Sequence, residues 1–136
     1  MISAVLALQS AIKALLSADA SLTAAIGAAR IYDGAPRDAA VPFVSLDEIV
    51  SRRRDGLGAP LEEHRFTVRV WSKSGGKRQA LTIADRVVAL LDDAAPTLAG
   101  HRVVRLYLEA SDARAAKDRI ATETALRFVA LTEPTG

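Results

Sequence analysis

Few residues in this 136-residue chain have the types or spacing that chemistry requires. There are two histidines, His64 and His101, and no cysteine. Neither histidine has a second imidazole or a thiolate at ligand spacing, so the sequence contains no structural zinc motif. His64 falls on the apolar side of an alternating segment, where a hydrogen-bonded core or edge histidine is the simpler reading than a general base. His101 follows Gly100 in a predicted turn. Ser72 and Ser74 flank a glycine turn without a nucleophile-elbow pattern. The run S-K-S-G-G-K-R, Ser72 to Arg78, places glycines and a lysine between a strand and a helix, where backbone N–H groups can hold an anion. It lacks the Walker spacing and the Ser/Thr after the lysine, and reads first as a turn plus a helix start. Asp112, Asp118 and Glu123 are interleaved with Arg114, Lys117 and Arg119, which points to neutralised surface charge rather than a metal cluster. The sequence therefore predicts no catalytic, cofactor-binding or metal-binding residue.

What stands out instead is contact chemistry. Arg52, Arg53 and Arg54 form a basic run diluted by Asp55, Glu62 and Glu63, with no aromatic residue interleaved for base stacking. Trp71 closes an alternating segment beside a turn, as a core-edge residue or as an interface anchor, a role tryptophan often fills. Arg65 and Arg69 share one face of that segment. The candidate interface residues are Arg52, Arg53, Arg54, Arg65, Arg69, Trp71, Arg114, Lys117 and Arg119.

The elements that position them follow from periodicity. His64, Phe66, Val68 and Val70 alternate with Arg65, Thr67 and Arg69, a half-buried strand. After a turn at Ser72 to Gly76 the period changes. Ala80, Leu81, Ala84, Val87, Val88 and Leu91 fill one face of a helix from Lys77 to Leu91, short enough to lie back over the strand. Upstream, Ile2 to Ala18 reads as an amphipathic helix. Asp19 caps a second helix over Ala20 to Ile26, which Gly27 ends. Ile31 and Tyr32 form a short extended piece, and Asp33 to Pro42 a loop. A strand is predicted over Phe43 to Ser51 and a mobile loop over Arg52 to Pro60. Downstream come a strand over Arg102 to Glu109, with Val104, Leu106 and Leu108 on one side and Val103, Arg105 and Tyr107 on the other, and a polar loop or single helical turn over Ser111 to Arg119. A final strand runs from Ile120 to Leu131.

The order α-α-β-β-α-β-β predicts a single α+β domain over residues 1–136. Its largely antiparallel sheet of about four strands is packed by helices on one face. The other face would carry Glu63, Arg65, Arg69, Arg105, Glu109, Glu123 and Arg127, either as a solvated surface with cross-strand ion pairs or as a polar inter-subunit surface. Composition agrees with one domain: half the residues are hydrophobic, aromatics make up 4%, and net charge is only +2. No apolar run reaches the length of a membrane span, and no secretory signal pattern opens the chain.

In order and spacing these segments resemble the small tail-completion, or tail-terminator, proteins of long-tailed phages and phage-like gene transfer particles. The resemblance rests on A-L-Q-S-A-I-K-A-L-L, D-A-S-L-T-A-A-I-G, R-I-Y-D-G-A-P, V-P-F-V-S-L, F-T-V-R-V-W-S, A-L-T-I-A-D-R-V-V-A-L-L-D, L-A-G-H-R-V-V and D-R-I-A-T-E-T-A-L-R-F-V-A-L, which span nearly the whole chain. Pro42-Phe43 and V-W-S ending at Ser72 are the most characteristic pieces. The resemblance implies a fold like that of tail-tube subunits and no turnover. It implies a hexameric ring at the head-proximal end of the tail tube, assembled in the cytoplasm of a bacterial host. That ring would stop tube growth and contact the tail-tube protein and the head–tail connector or neck proteins. DNA passing through the lumen would touch it weakly and without sequence preference. The strands Phe43–Ser51 and Glu63–Trp71 are the expected sites of subunit joining. Two other readings stand beside this one: a different head–tail connector component, and a small enzyme using His64 or the glycine turn.

Overall fold

The computed structural model describes residues 3–27, 30–55, 59–73, 77–115 and 121–135, and the side chains of 114, 115 and 121 lie outside that description. The elements are α1 (Ala4–Ser17), α2 (Ala20–Ile26), β1 (Ile31–Tyr32), β2 (Phe43–Arg53), β3 (Glu62–Lys73), α3 (Lys77–Leu91), β4 (His101–Ala115) and β5 (Ala121–Pro134).

Local signals set the helices. The Ser3 side chain caps α1 by accepting from the Leu6 N–H. The Asp19 carboxylate caps α2 by accepting from the Leu22 N–H at 2.9 Å, and Gly27 ends it in the left-handed conformation at φ +82°. Asp19 also takes a forked contact from Arg86 of α3, at 2.9 and 2.7 Å. That guanidinium and the Leu22 N–H hold the Asp19 carboxyl down at about 2. One carboxylate thus starts α2 and ties it to α3.

The sheet has five strands in the order β1-β2-β3-β5-β4. β1 runs parallel to β2, and every other pair is antiparallel. The short extended piece at Ile31–Tyr32 is therefore a true strand, one more than the sequence reading counted. Helices cover one face, with α1 against β1 and β2, and α3 across β3, β5 and β4. The core between them is aliphatic: Leu8, Ile12, Leu16, Leu22, Ile26, Val44, Val68, Val87, Leu91 and Leu106 are buried around the stacked pair Phe66–Phe128.

Four expectations need correction. Arg52 and Arg53 belong to β2, because their backbones pair with Glu63 and Glu62 across the hairpin. The described part of Arg52 to Pro60 is a clasp, with the Arg54 N–H donating to the Leu61 carbonyl and the Leu61 N–H to Asp55. Ser111 to Ala115 is strand, not loop, since β4 continues along β5 to Ala115; residues 116–120 lie outside the described residues. In β4 the faces of Val103 and Val104 are exchanged: Val103 is buried and Val104 exposed. A register shift between Val103 and Arg105 inserts one residue and flips the alternation beyond it. Similarly, β3 cannot join subunits through its edge, because β2 and β5 pair with it on both sides. Among the described residues β2 has no strand partner beyond Ser45, where β1 ends, and β4 has none on its outer side, where the turn after α3 covers part of the edge: the Asp93 N–H donates to the Leu106 carbonyl and the Leu108 N–H to Asp92.

Candidate functional site

The sheet face opposite the helices gathers Arg65, Arg69 and Trp71 of the candidate interface residues. Alternation puts Arg65, Thr67, Arg69 and Trp71 of β3 there, with Arg127 and Glu123 of β5 and Asp47 of β2 beside them. Arg65 reaches Glu63 at 3.0 Å and Glu109 at 2.5 Å. Arg127 reaches Asp112 at 3.3 Å. Arg69 is held by three carboxylates: Glu123 at 2.8 Å, Glu48 at 3.1 Å and Asp47 at 3.2 Å. Its side chain is only 15% exposed, unlike the others.

A hydrogen-bond chain joins that arginine to the tryptophan. The Trp71 indole N–H donates to the Ser45 hydroxyl at 3.3 Å, and Ser45 donates to Asp47 at 2.8 Å. Trp71 stacks on Phe43 with ring centres 5.8 Å apart, and Tyr32 meets Phe43 edge-on. Cross-strand pairing of Phe43 with Trp71 sets this contact. At the bulge between Asp47 and Ile49, Glu48 takes φ +40°, a strained value for a non-glycine residue that turns its carboxylate toward Arg69. No sequence signal marks Glu48 or Asp47 as partners of Arg69, because the bulge that places them is invisible to alternation.

The remaining candidates are dispersed. Arg53 pairs with Asp55 at 2.5 Å and Arg54 with Glu63 at 3.3 Å, while Arg52 is exposed at the end of β2. Arg114 sits opposite Glu123 in the β4–β5 register. Lys117 and Arg119 lie outside the described residues, as do Asp118 and the glycines of S-K-S-G-G-K-R.

His64 is no exposed base. It is buried on the helix face between two hydroxyls, with Nδ1 2.7 Å from Ser51 Oγ and Nε2 2.8 Å from Thr132 Oγ1. Burial pushes the imidazole below its ordinary value, with His101 adding to this and Glu62 opposing it. The unfolded chain then binds the proton more readily than the folded one, so His64 contributes stability above pH ~6.5 that is lost as pH falls. We expect a lower melting temperature at pH 5 than at pH 7.5, and a flatter profile in His64→Gln. An unchanged slope in that variant would assign the pH dependence elsewhere.

Among the described residues no group of three or more His, Cys, Asp or Glu side chains is placed to hold a metal ion. No single described helix is long and apolar enough to cross a membrane. What this face presents is a charged surface of ion-paired side chains with an aromatic corner.

A family model described as "Tail completion protein gp17" matches residues 10–133. Among solved structures, a chain of the "Virion of native gene transfer agent (GTA) particle" superposes with a TM-score of 0.87 at 26% sequence identity, covering 98% of this chain and 99% of that one. No curated protein sequence matches. With residues 10–133 matched by the family model and a virion chain superposing end to end, this chain belongs to the tail completion protein gp17 family and is a structural virion protein, not an enzyme.

Proposed function

We propose that this protein forms a closed ring, hexameric by resemblance to tail terminators, at the head-proximal end of the tail tube, where it ends tube polymerisation and offers a surface to the head connector. The end-to-end similarity to a virion chain carries this reading. Topology supports it: among the described residues two different edges lack a strand partner on opposite sides of the sheet, β2 beyond Ser45 and β4 outside the stretch that the Asp92–Asp93 turn covers. Unlike edges favour head-to-tail association, which closes into a ring when the rotation per subunit is right. The tail-tube protein and the connector or neck proteins are the partners of the two ring faces. DNA sliding through the lumen would make only weak, sequence-independent contacts, consistent with the chain's small net charge.

The first test is solution mass across a concentration series with negative-stain imaging. A hexamer of this 14.4 kDa chain has a mass of about 86 kDa and a visible lumen. Incubation with tail tubes then asks whether their ends are capped. Binding to purified connector but not to tube ends would move the protein into the neck. The arginine run gives a second test. The backbones of Arg52, Arg53 and Arg54 are held in the β2–β3 hairpin, but their side chains are largely exposed, and the ion pairs Arg53–Asp55 and Arg54–Glu63 at this surface contribute little to the fold. Replacing Arg52, Arg53 and Arg54 together by alanine is expected to weaken assembly while leaving the urea midpoint of the monomer nearly unchanged. Normal ring and tail formation would remove this hairpin end from the interface.

A further inference from the structure

The helix face is not fully covered. Between α3 and the β4–β5 pair lies an apolar groove of about 380 Å³, walled by Leu81, Ala84 and Val88 on the helix and by Leu108 and Leu126 on the strands. Leu81 stays 43% exposed at its mouth. Thr124 also lines it, and its hydroxyl is buried without a hydrogen-bond partner. A buried hydroxyl left unpaired is costly, which favours a rearrangement that brings it a partner. Asp85 stands on the same wall, one helical turn from Leu81, and no ion pair involving it occurs among the described residues.

The complementary surface is on α1. Leu6 is the large apolar residue of that helix left outside the core, at 51% exposure. Ser10 and Lys13 follow on the same stripe at i+4 and i+7. Lys13 is only loosely engaged, 3.9 Å from Asp33 with both side chains nearly half exposed. The stripe thus offers an apolar tooth, a hydroxyl and a cation; the groove offers an apolar slot, an unpaired hydroxyl and an anion. Position matters as well. α1 lies over the β1–β2 end of the sheet and α3 extends to the β4 end. α1 and α3 also touch, but the groove lies on the β4–β5 side of α3 and both Leu6 and Leu81 stay exposed, so the two surfaces do not meet within one copy and can meet between copies.

We propose that the α3/β4–β5 groove receives the α1 stripe of a second copy, with Leu6 entering beside Leu81 and Lys13 facing Asp85. This rests on the ring reading and specifies its joint on the helix side of the sheet.

The chain has no cysteine, so introduced thiols report without background. Leu6→Cys and Leu81→Cys are made separately, mixed, and oxidised at a concentration where solution mass shows association. A disulfide forms where Cα atoms approach within ~7 Å. A reducible band at about 29 kDa, twice the 14.4 kDa chain, is expected in the mixture and not in either variant alone. Association with no 6–81 cross-link overturns the groove assignment and leaves the ring standing. A chain that remains monomeric at every concentration, with no cross-link, overturns both. Charge reversal supplies an independent reading: Asp85→Lys or Lys13→Glu alone weakens association, and mixing the two restores it. Failure of the mixture to recover also overturns the pairing.

Discussion

Phe128→Ala is expected to cost about 3–5 kcal/mol of unfolding free energy, a large share of the roughly 5–15 kcal/mol that holds a typical domain together. The ring is 1% exposed and stacks on Phe66, its cross-strand partner, with centroids 5.5 Å apart and planes 15° from parallel. Truncation removes both the transfer free energy of the ring and its contacts with a core made mostly of rigid β-branched and leucine side chains, which cannot collapse into the gap. Urea unfolding is the measurement: the midpoint falls while the slope is kept. Val104→Ala is the control. Val104 is also a valine-rich strand position by sequence, but the bulge turns it outward to 48% exposure, and its loss should stay within about 0.5 kcal/mol. Equal effects at the two positions would mean that the described register of β4 and β5 is wrong.

Arg69→Ala is the second large change, expected to cost about 3 kcal/mol, near the low end for breaking a buried ion pair because the site keeps some solvent. Its removal takes away the guanidinium that Glu123, Asp47 and Glu48 share. It also loosens the Asp47–Ser45–Trp71 chain, so the tryptophan environment should change with it. Tryptophan fluorescence and urea unfolding of the same sample separate the two effects. Arg69→Lys should recover only part, since one ammonium cannot span three carboxylates on different strands as a guanidinium does. If the lysine variant matches the native chain, the geometry of the guanidinium is irrelevant and only its charge matters.

Much of this architecture was legible from local pattern. α2 and α3 begin and end where cap residues and the 3.6-residue period place them, because those signals act within one turn. The β3 alternation was equally clear, since His64, Phe66, Val68 and Val70 are all buried. The errors fall where long-range pairing overrides composition. Ser111 to Ala115 looks like a loop, being small and polar, yet β5 supplies a ladder partner to each described step. Arg52 and Arg53 look like loop, yet the backbones of Glu63 and Glu62 pair with them and carry β2 on to Arg53. Bulges are the third case: they insert a residue without any compositional mark, and so hid the fates of Val103, Val104 and Glu48. The charged face was predictable as a face. Which carboxylate meets which arginine depended on strand order, which no local period encodes.

That strand order has a consequence for synthesis. β5 emerges after β4, yet it lies between β3 and β4 and touches both along their length. A nascent chain that has reached Ala115 holds β3 and β4 with no strand between them, and the Phe66 ring without its stacking partner. The middle of the sheet is filled last, by insertion of a strand rather than addition at a rim, and pairings such as Glu62 with Thr132 span about half of the chain. Contacts of such sequence separation form slowly and leave strand edges exposed while they are awaited. A chain that ends before β5 lacks the one strand that pairs with both β3 and β4, so it cannot complete the sheet and leaves the inner edges of both strands open.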